Sequence, residues 1–187
     1  MANQIVKNEK GAVRISVRGL VEFILREGDI DNRVGKTAGA QAMQEGSRIH
    51  RKIQGGMGDN YRAEVPLRLT IDQEDYQIVV EGRADGILIE DGKTMIDEIK
   101  GVYKNLELLA EPVKAHRAQA MCYAYIYALQ QELDEIGVRM TYCNLDTEEI
   151  RVFEENFSFE RLGGWFAALI GEYRKWADFQ FAWRILR

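Results

Sequence analysis

The sequence predicts a single α/β domain spanning residues 1–187, and three observations carry that expectation. The chain has 187 residues, 46% hydrophobic and 29% charged, the composition of an ordinary globular domain with room for a sizeable core. Several stretches alternate with period two, foremost residues 81–100, where Asp91-Gly92 separates two apolar, β-branched runs and signals a tight hairpin. Others repeat at helical spacing, about Ala40 to Gln54, Val113 to Leu133 and Phe159 to Ala182. No run reaches transmembrane length and Met-Ala-Asn-Gln opens no signal peptide, so a cytoplasmic protein with no membrane partner is expected. Cys122 and Cys143 are too few and too far apart for a metal cluster and read as reduced core thiols.

Taken in order, Ala12 to Val17 is a short strand and Gly19 to Arg26 a short helix closed by Gly28. Residues 28–38 form a loop. Its Gly35-Lys36-Thr37 resembles the tail of a phosphate-binding loop, but that motif needs glycine at position 30, which is Ile30. The helix from about Ala40 stops at Gly55-Gly56. It carries Gly46-Ser-Arg-Ile-His50, with the densest basic cluster of the chain, Arg48, Arg51 and Lys52, around the histidine. By spacing alone, a lone helical histidine is a packing or surface residue. Tyr61 to Thr70 alternates as a strand, which Pro66 confines to an edge or a strand start. Asp72 to Asp75 is a turn, and Tyr76 to Val80 leads into the hairpin.

Gly101 to Glu111 is loop or short helix, and Pro112 suits the first turn of the next helix. On that helix Ala118, Met121, Cys122, Tyr125, Ile126 and Leu129 make an apolar stripe. His116, Gln119, Tyr123 and Tyr127 make a second, polar and aromatic one, either a site wall or a partly wetted edge. Val138 to Asn144 and Ile150 to Phe157 are strands joined through Asp146-Thr147. Leu162, Phe166, Leu169, Ile170, Tyr173 and Trp176 give the last helix a core face. Its apolar end, Phe181 to Arg187, implies a docked terminal helix or a piece of a longer polypeptide.

If Asp91 and Gly92 are the two loop residues, Glu90 pairs with Lys93, Asp85 with Glu98 and Arg83 with Lys100. Period-two alternation then puts Arg83, Asp85, Ile87 and Ile89 on one face with Thr94, Ile96, Glu98 and Lys100, and sends Asp97 to the other. Two carboxylates directly opposite repel. A divalent cation between Asp85 and Glu98 would offset this, with Lys100 placed to hold or deprotonate an attacking water. A solvated salt-bridge ladder using Arg83 and Lys100 would offset it too, and on this stretch alone the two readings stand level. The formal charge of −5 speaks against wholesale coating of nucleic acid but leaves room for a local basic groove.

Together, Gly46-x-x-x-His50, Gly82-x-x-Asp85, Glu98-x-Lys100 and Gln119-x-x-x-Tyr123 resemble, in content and order, the RecB-like branch of the PD-(D/E)xK nucleases. The flanking segments resemble more weakly the nuclease domain in front of DinG-like or XPD-like bacterial helicases. The resemblance implies a restriction-endonuclease-like core, a mixed sheet flanked by helices, that cuts DNA with Mg²⁺ or Mn²⁺. It implies His50, Asp85, Glu98 and the carbonyl of Ile99 as metal ligands, Lys100 as the water-activating residue, and Gln119 and Tyr123 as its DNA-proximal support. Arg48, Arg51, Lys52 and Arg83 are candidates for DNA-backbone contacts, with His116 on the same wall. The iron–sulfur cluster of related CRISPR-associated nucleases is not expected with two cysteines. Expected partners are single-stranded DNA or duplex ends, and a helicase domain in the same chain or complex. The competing expectation is a non-catalytic nucleic-acid-binding or regulatory module with the same fold.

Overall fold

In the computed structural model, residues 10–25 and 39–186 are described; the loop expected over 28–38, with Gly35-Lys36-Thr37, lies outside them. The order is β1 (Gly11–Ser16), α1 (Val17–Ile24), α2 (Gly39–Gly55), β2 (Tyr61–Asp72), β3 (Tyr76–Glu90), β4 (Lys93–Val102), a 3₁₀ turn (Leu106–Leu108), α3 (Lys114–Gln131), β5 (Glu135–Asn144), β6 (Ile150–Ser158) and α4 (Phe159–Ile185). Six strands form one mixed sheet, and the chain is α/β. β1 runs parallel to β3 and β4 parallel to β5, while the β2–β3, β3–β4 and β5–β6 pairs are antiparallel.

Local chemistry explains most boundaries. Asp91 and Gly92 both take positive φ, 50° and 74°, the turn whose twist matches a two-residue hairpin. Ser16 and Ser158 cap α1 and α4 by accepting from Gly19 N–H and Arg161 N–H. Pro66 lies on β2, which among the described residues pairs with β3 alone and so is an edge strand. Several boundaries differ from expectation: α1 begins at Val17, β4 runs on to Val102, β5 begins at Glu135, α4 ends at Ile185, and both ends of α3 shift. Pro112 precedes the N-cap, Val113, and so stands outside the first turn of α3. That helix ends where Glu132 turns left-handed at φ 54°, just short of Leu133.

The main core lies between one sheet face and α1, α3 and α4. Val138, Met140 and Tyr142 of β5 belong to it with Ala120, Met121 and Ala124 of α3. The alternate β5 residues Arg139, Thr141 and Cys143 face α2, lining a pocket of about 280 Å³ with Ile49 and Ile53. α3 is buried more completely than two stripes suggest. Tyr123 and Tyr127 lie inside with the apolar stripe, so of the two readings of their stripe the wetted edge does not hold for them, and Leu129 is the apolar-stripe member left exposed. No helix among the described residues is long and apolar enough to cross a membrane.

β3 is the strand that shapes the site. Along one edge it pairs with β2 over residues 77–88. Along the other it pairs with β1 only as far as Glu81, and with β4 only from Gly86 onward. Residues 82–85 face a split in the sheet.

Candidate metal centre at the split

The hairpin register holds from Glu90–Lys93 to Gly86–Asp97 and stops there. Asp85 is therefore not laddered to Glu98, nor Arg83 to Lys100. β4 turns away to follow β5, and the Asp85 carboxylate takes over the ladder's role by accepting the Ile99 N–H at 2.7 Å. β3 also rotates here. Its core positions are the even-numbered Ile78, Val80 and Ala84, then the odd-numbered Ile87. The single shared face expected for Arg83, Asp85, Ile87 and Ile89 is thus broken at Asp85. Ile89, set on that face with the core residue Ile87, is itself 47% exposed.

Tyr123 fills the other end of the split. An ideal Cβ on Gly82 would lie 2.5 Å from the Tyr123 hydroxyl, so only glycine admits the ring there. Burial raises the pKa of that hydroxyl, and the neighbouring Arg83 backbone N–H offsets part of the rise.

Groups from both sheet faces meet in this opening. His50 comes from α2, its Nδ1 3.5 Å from Asp85 Oδ1. Gln54, one turn on, donates to the Asp85 backbone carbonyl at 2.8 Å and to Glu64 at 2.9 Å. From the α3 face, Lys100 Nζ donates to Glu98 Oε1 at 2.9 Å and to Gln119 Oε1 at 3.0 Å. Glu98 is 4% exposed, and its second oxygen, Oε2, is buried with no hydrogen-bond partner among the described residues. Burial first, then the Asp85 carboxylate, raise its pKa well above the ordinary carboxylate range, against the pull of Lys100. The hydrogen bond to Asp85 raises His50, more than burial lowers it.

The structure joins His50 to Asp85, and Lys100 to Glu98 and Gln119, with Tyr123 packed on Gly82. Glu98 stands outside the group in which ligand atoms of His50, Asp85 and Glu64 come within 4.8 Å of one another. Ile99 is tied to Asp85: within a strand a residue's N–H and C=O point the same way, so a carbonyl whose N–H meets Asp85 also faces the split. The basic candidates stand differently. Arg48 and Lys52 both clasp Glu148 on the β5–β6 turn, and Arg48 also holds Glu45. Arg83 is paired with Glu64 at 3.2 Å, and Arg51 is exposed. His116 lies in the wall with its Nδ1 3.1 Å from the Tyr142 hydroxyl. Burial, with the charges of Lys100 and Arg18, lowers its pKa to about 4, so it is neutral near pH 7.

Glu64 is the residue that sequence reasoning missed. The β2–β3 pairs Ala63–Gly86 and Val65–Ala84 set it opposite Asp85. Its φ of 56° is left-handed, a conformation costing a non-glycine residue about 1–2 kcal/mol. Ligand atoms of His50, Glu64 and Asp85 all lie within 4.8 Å of one another. The sequence holds a signal for this. The Asp72–Asp75 turn fixes the β2–β3 register just as Asp91-Gly92 fixes β3–β4, but its longer loop leaves the arithmetic open.

No family model and no curated protein matches the chain. In fold it is similar to the protein SSO0001, known from a crystal structure, with a TM-score of 0.56 over 84% of this chain and 75% of that one. The two are 19% identical, and at that distance the likeness shows the fold alone.

Proposed function

We propose that the chain is a Mg²⁺- or Mn²⁺-dependent deoxyribonuclease with a restriction-endonuclease-like core, a RecB-like exonuclease of DNA repair or recombination. It acts in the cytoplasm on single strands or duplex ends, with a helicase domain in the same chain or complex. The observation that carries this reading is the Glu98 carboxylate, buried with one oxygen unpartnered beside Asp85. An orphaned buried oxygen next to a second acid is costly until a proton or a cation takes it, and a divalent cation serves both acids at once.

The donor set fits such an ion. Carboxylates and one imidazole suit Mn²⁺ and, with waters, Mg²⁺. His50, Asp85 and Glu98 would hold it, with the Ile99 carbonyl turned to the same opening. A divalent cation there supplies Lewis acidity toward a phosphate oxygen and lowers the pKa of a water. The protein groups do the rest. Lys100, fixed by Glu98 and Gln119, keeps one ammonium proton free to orient the attacking water and to counter charge on the phosphate. As the water oxygen adds to phosphorus it gives up one proton to solvent, the bridging P–O bond breaks, and the leaving oxygen takes a proton from solvent. Tyr123 holds the split open in the shape that admits the scissile phosphate.

The test is cleavage of end-labelled single- and double-stranded DNA, with Mn²⁺ or Mg²⁺ against EDTA. Wild type cuts only with metal, and Lys100→Ala loses at least about 10²-fold in rate. Cutting that survives EDTA, or is untouched in Lys100→Ala, overturns the proposal. Failure both to cut and to bind Mn²⁺ would make the chain the non-catalytic module instead.

A further inference from the structure

We propose that Glu64 is a metal ligand held in reserve: without the ion its carboxylate is tied to Arg83, and a divalent cation at His50 and Asp85 draws Glu64 to itself and frees Arg83 for a phosphate. This rests on the metal-site reading above and adds a strand, a ligand and a coupling to it.

Spacing is the first argument. Ligand atoms at about 2.1–2.4 Å from one ion lie about 3–4.5 Å from each other. Those of His50, Glu64 and Asp85 fall within 4.8 Å of one another, so a small closure brings all three onto one cation. An independent sign of a cation in this opening comes from the neighbouring strand. Glu98 Oε2, buried and without a hydrogen-bond partner among the described residues, belongs to a carboxylate that feels the charges of both Asp85 and His50, although it lies outside their group of ligand atoms. Position is the second argument. Glu64 is on the edge strand, directly across from Asp85, and Gln54 ties its Oε1 to the Asp85 backbone. The carboxylate is thereby aimed along the site and away from the free edge of β2.

Exchange follows from the contacts. Arg83 binds the other oxygen, Oε2, at 3.2 Å, with both side chains largely exposed, 65% and 45%. A solvent-screened ion pair of this kind contributes little and is readily given up to a divalent ion. Gln54 keeps its hold on Oε1 while Oε2 changes partner. The guanidinium then projects into the open groove of about 670 Å³ that it lines with Arg68 and Glu81. A planar, always-charged fork beside the ion is suited to the non-bridging oxygens of a DNA phosphate. Metal binding thus primes substrate binding.

Mn²⁺ titration of the metal-free chain by calorimetry separates the alternatives without any cleavage assay. Wild type binds, Asp85→Asn abolishes binding, and Glu64→Gln weakens it by about tenfold or more. Arg83→Ala removes the competitor for Glu64 and so tightens Mn²⁺ several-fold, a gain that disappears in the Glu64→Gln, Arg83→Ala double variant. If Glu64→Gln binds Mn²⁺ as wild type does while Asp85→Asn does not, Glu64 is no ligand, and the metal site stands without it. If Arg83→Ala loosens the ion, the exchange is wrong. If wild type binds no Mn²⁺, the metal reading itself falls.

Discussion

Asp97 and Glu98 are adjacent on β4, both acidic and both buried, at 0% and 4% exposure, yet they do opposite work. Asp97 faces α2. One oxygen accepts from the Tyr61 hydroxyl at 2.8 Å and the other from the Thr141 hydroxyl at 2.6 Å. Those bonds and the charge of Arg139 offset part of the burial that raises its pKa. Glu98 faces α3 and the split, with Lys100 on one oxygen and nothing on the other. A satisfied buried acid is part of the frame, tying β2, β4 and β5 together. A half-satisfied one is a place where the fold leaves a charge for something else to complete. Alternation along one strand is what separates the two roles.

Exchanging the acids for neutral residues should therefore split function from stability. Glu98→Gln keeps an acceptor for Lys100 and removes the repulsion from Asp85. Its stability should match or exceed wild type, while Mn²⁺ binding and DNA cleavage fall by at least about 10²-fold. Asp97→Ala strands two buried hydroxyls and should cost about 3–5 kcal/mol, a large part of a typical total stability. Urea unfolding set beside Mn²⁺ titration reads both. A Glu98→Gln protein that unfolds as easily as Asp97→Ala would erase the distinction.

Gly86 sharpens it from the frame side. An ideal Cβ there would sit 1.9 Å from the Tyr61 hydroxyl, so the glycine exists to let Tyr61 cross to Asp97. Gly86→Ala should cost about 1–3 kcal/mol by overpacking and by breaking that hydrogen bond. In a Tyr61→Ala background the same change should cost far less, a non-additivity that thermal denaturation of the four proteins detects.

How much of the site is legible in the sequence depends on distance along the chain. The Asp91-Gly92 turn is local, so the β3–β4 register and the opposite facing of Asp97 and Glu98 can be read directly. So can the α/β class, and the placing of Glu98 and Lys100 together on one face of β4. The end of the ladder at Gly86–Asp97 cannot. It arises because β1 and β4 share one edge of β3, a fact of topology that no local pattern records. Glu64 is hidden for a related reason, since its place depends on a second register and on a left-handed φ. The basic cluster misleads in the opposite direction. Arg48 and Lys52 look free in sequence because Glu148, the acid that holds them, lies about a hundred residues away.

The smallest effect concerns the wall of the site, through His116. Its pKa falls from the usual value near 6.5 to about 4 in the folded chain, chiefly by burial. The unfolded chain therefore takes up a proton as pH drops below about 6.5, and the folded chain does so only near 4. Stability is complete above that window and is lost within it, by about 3 kcal/mol in all. Glu98 and Asp97, both raised by burial, slope the other way, because the folded chain protonates them first. The wild-type curve alone thus mixes opposed contributions, and the informative quantity is a difference. His116→Gln keeps a polar partner for the Tyr142 hydroxyl but takes no proton. Urea titrations of the metal-free proteins should show wild type losing stability relative to His116→Gln steadily from pH 6.5 to 4, and the two curves running parallel above 6.5. Parallel curves throughout would mean that the folded protein admits a charged imidazole beside Lys100. The wall of the split would then be wetter than the burial of His116 implies.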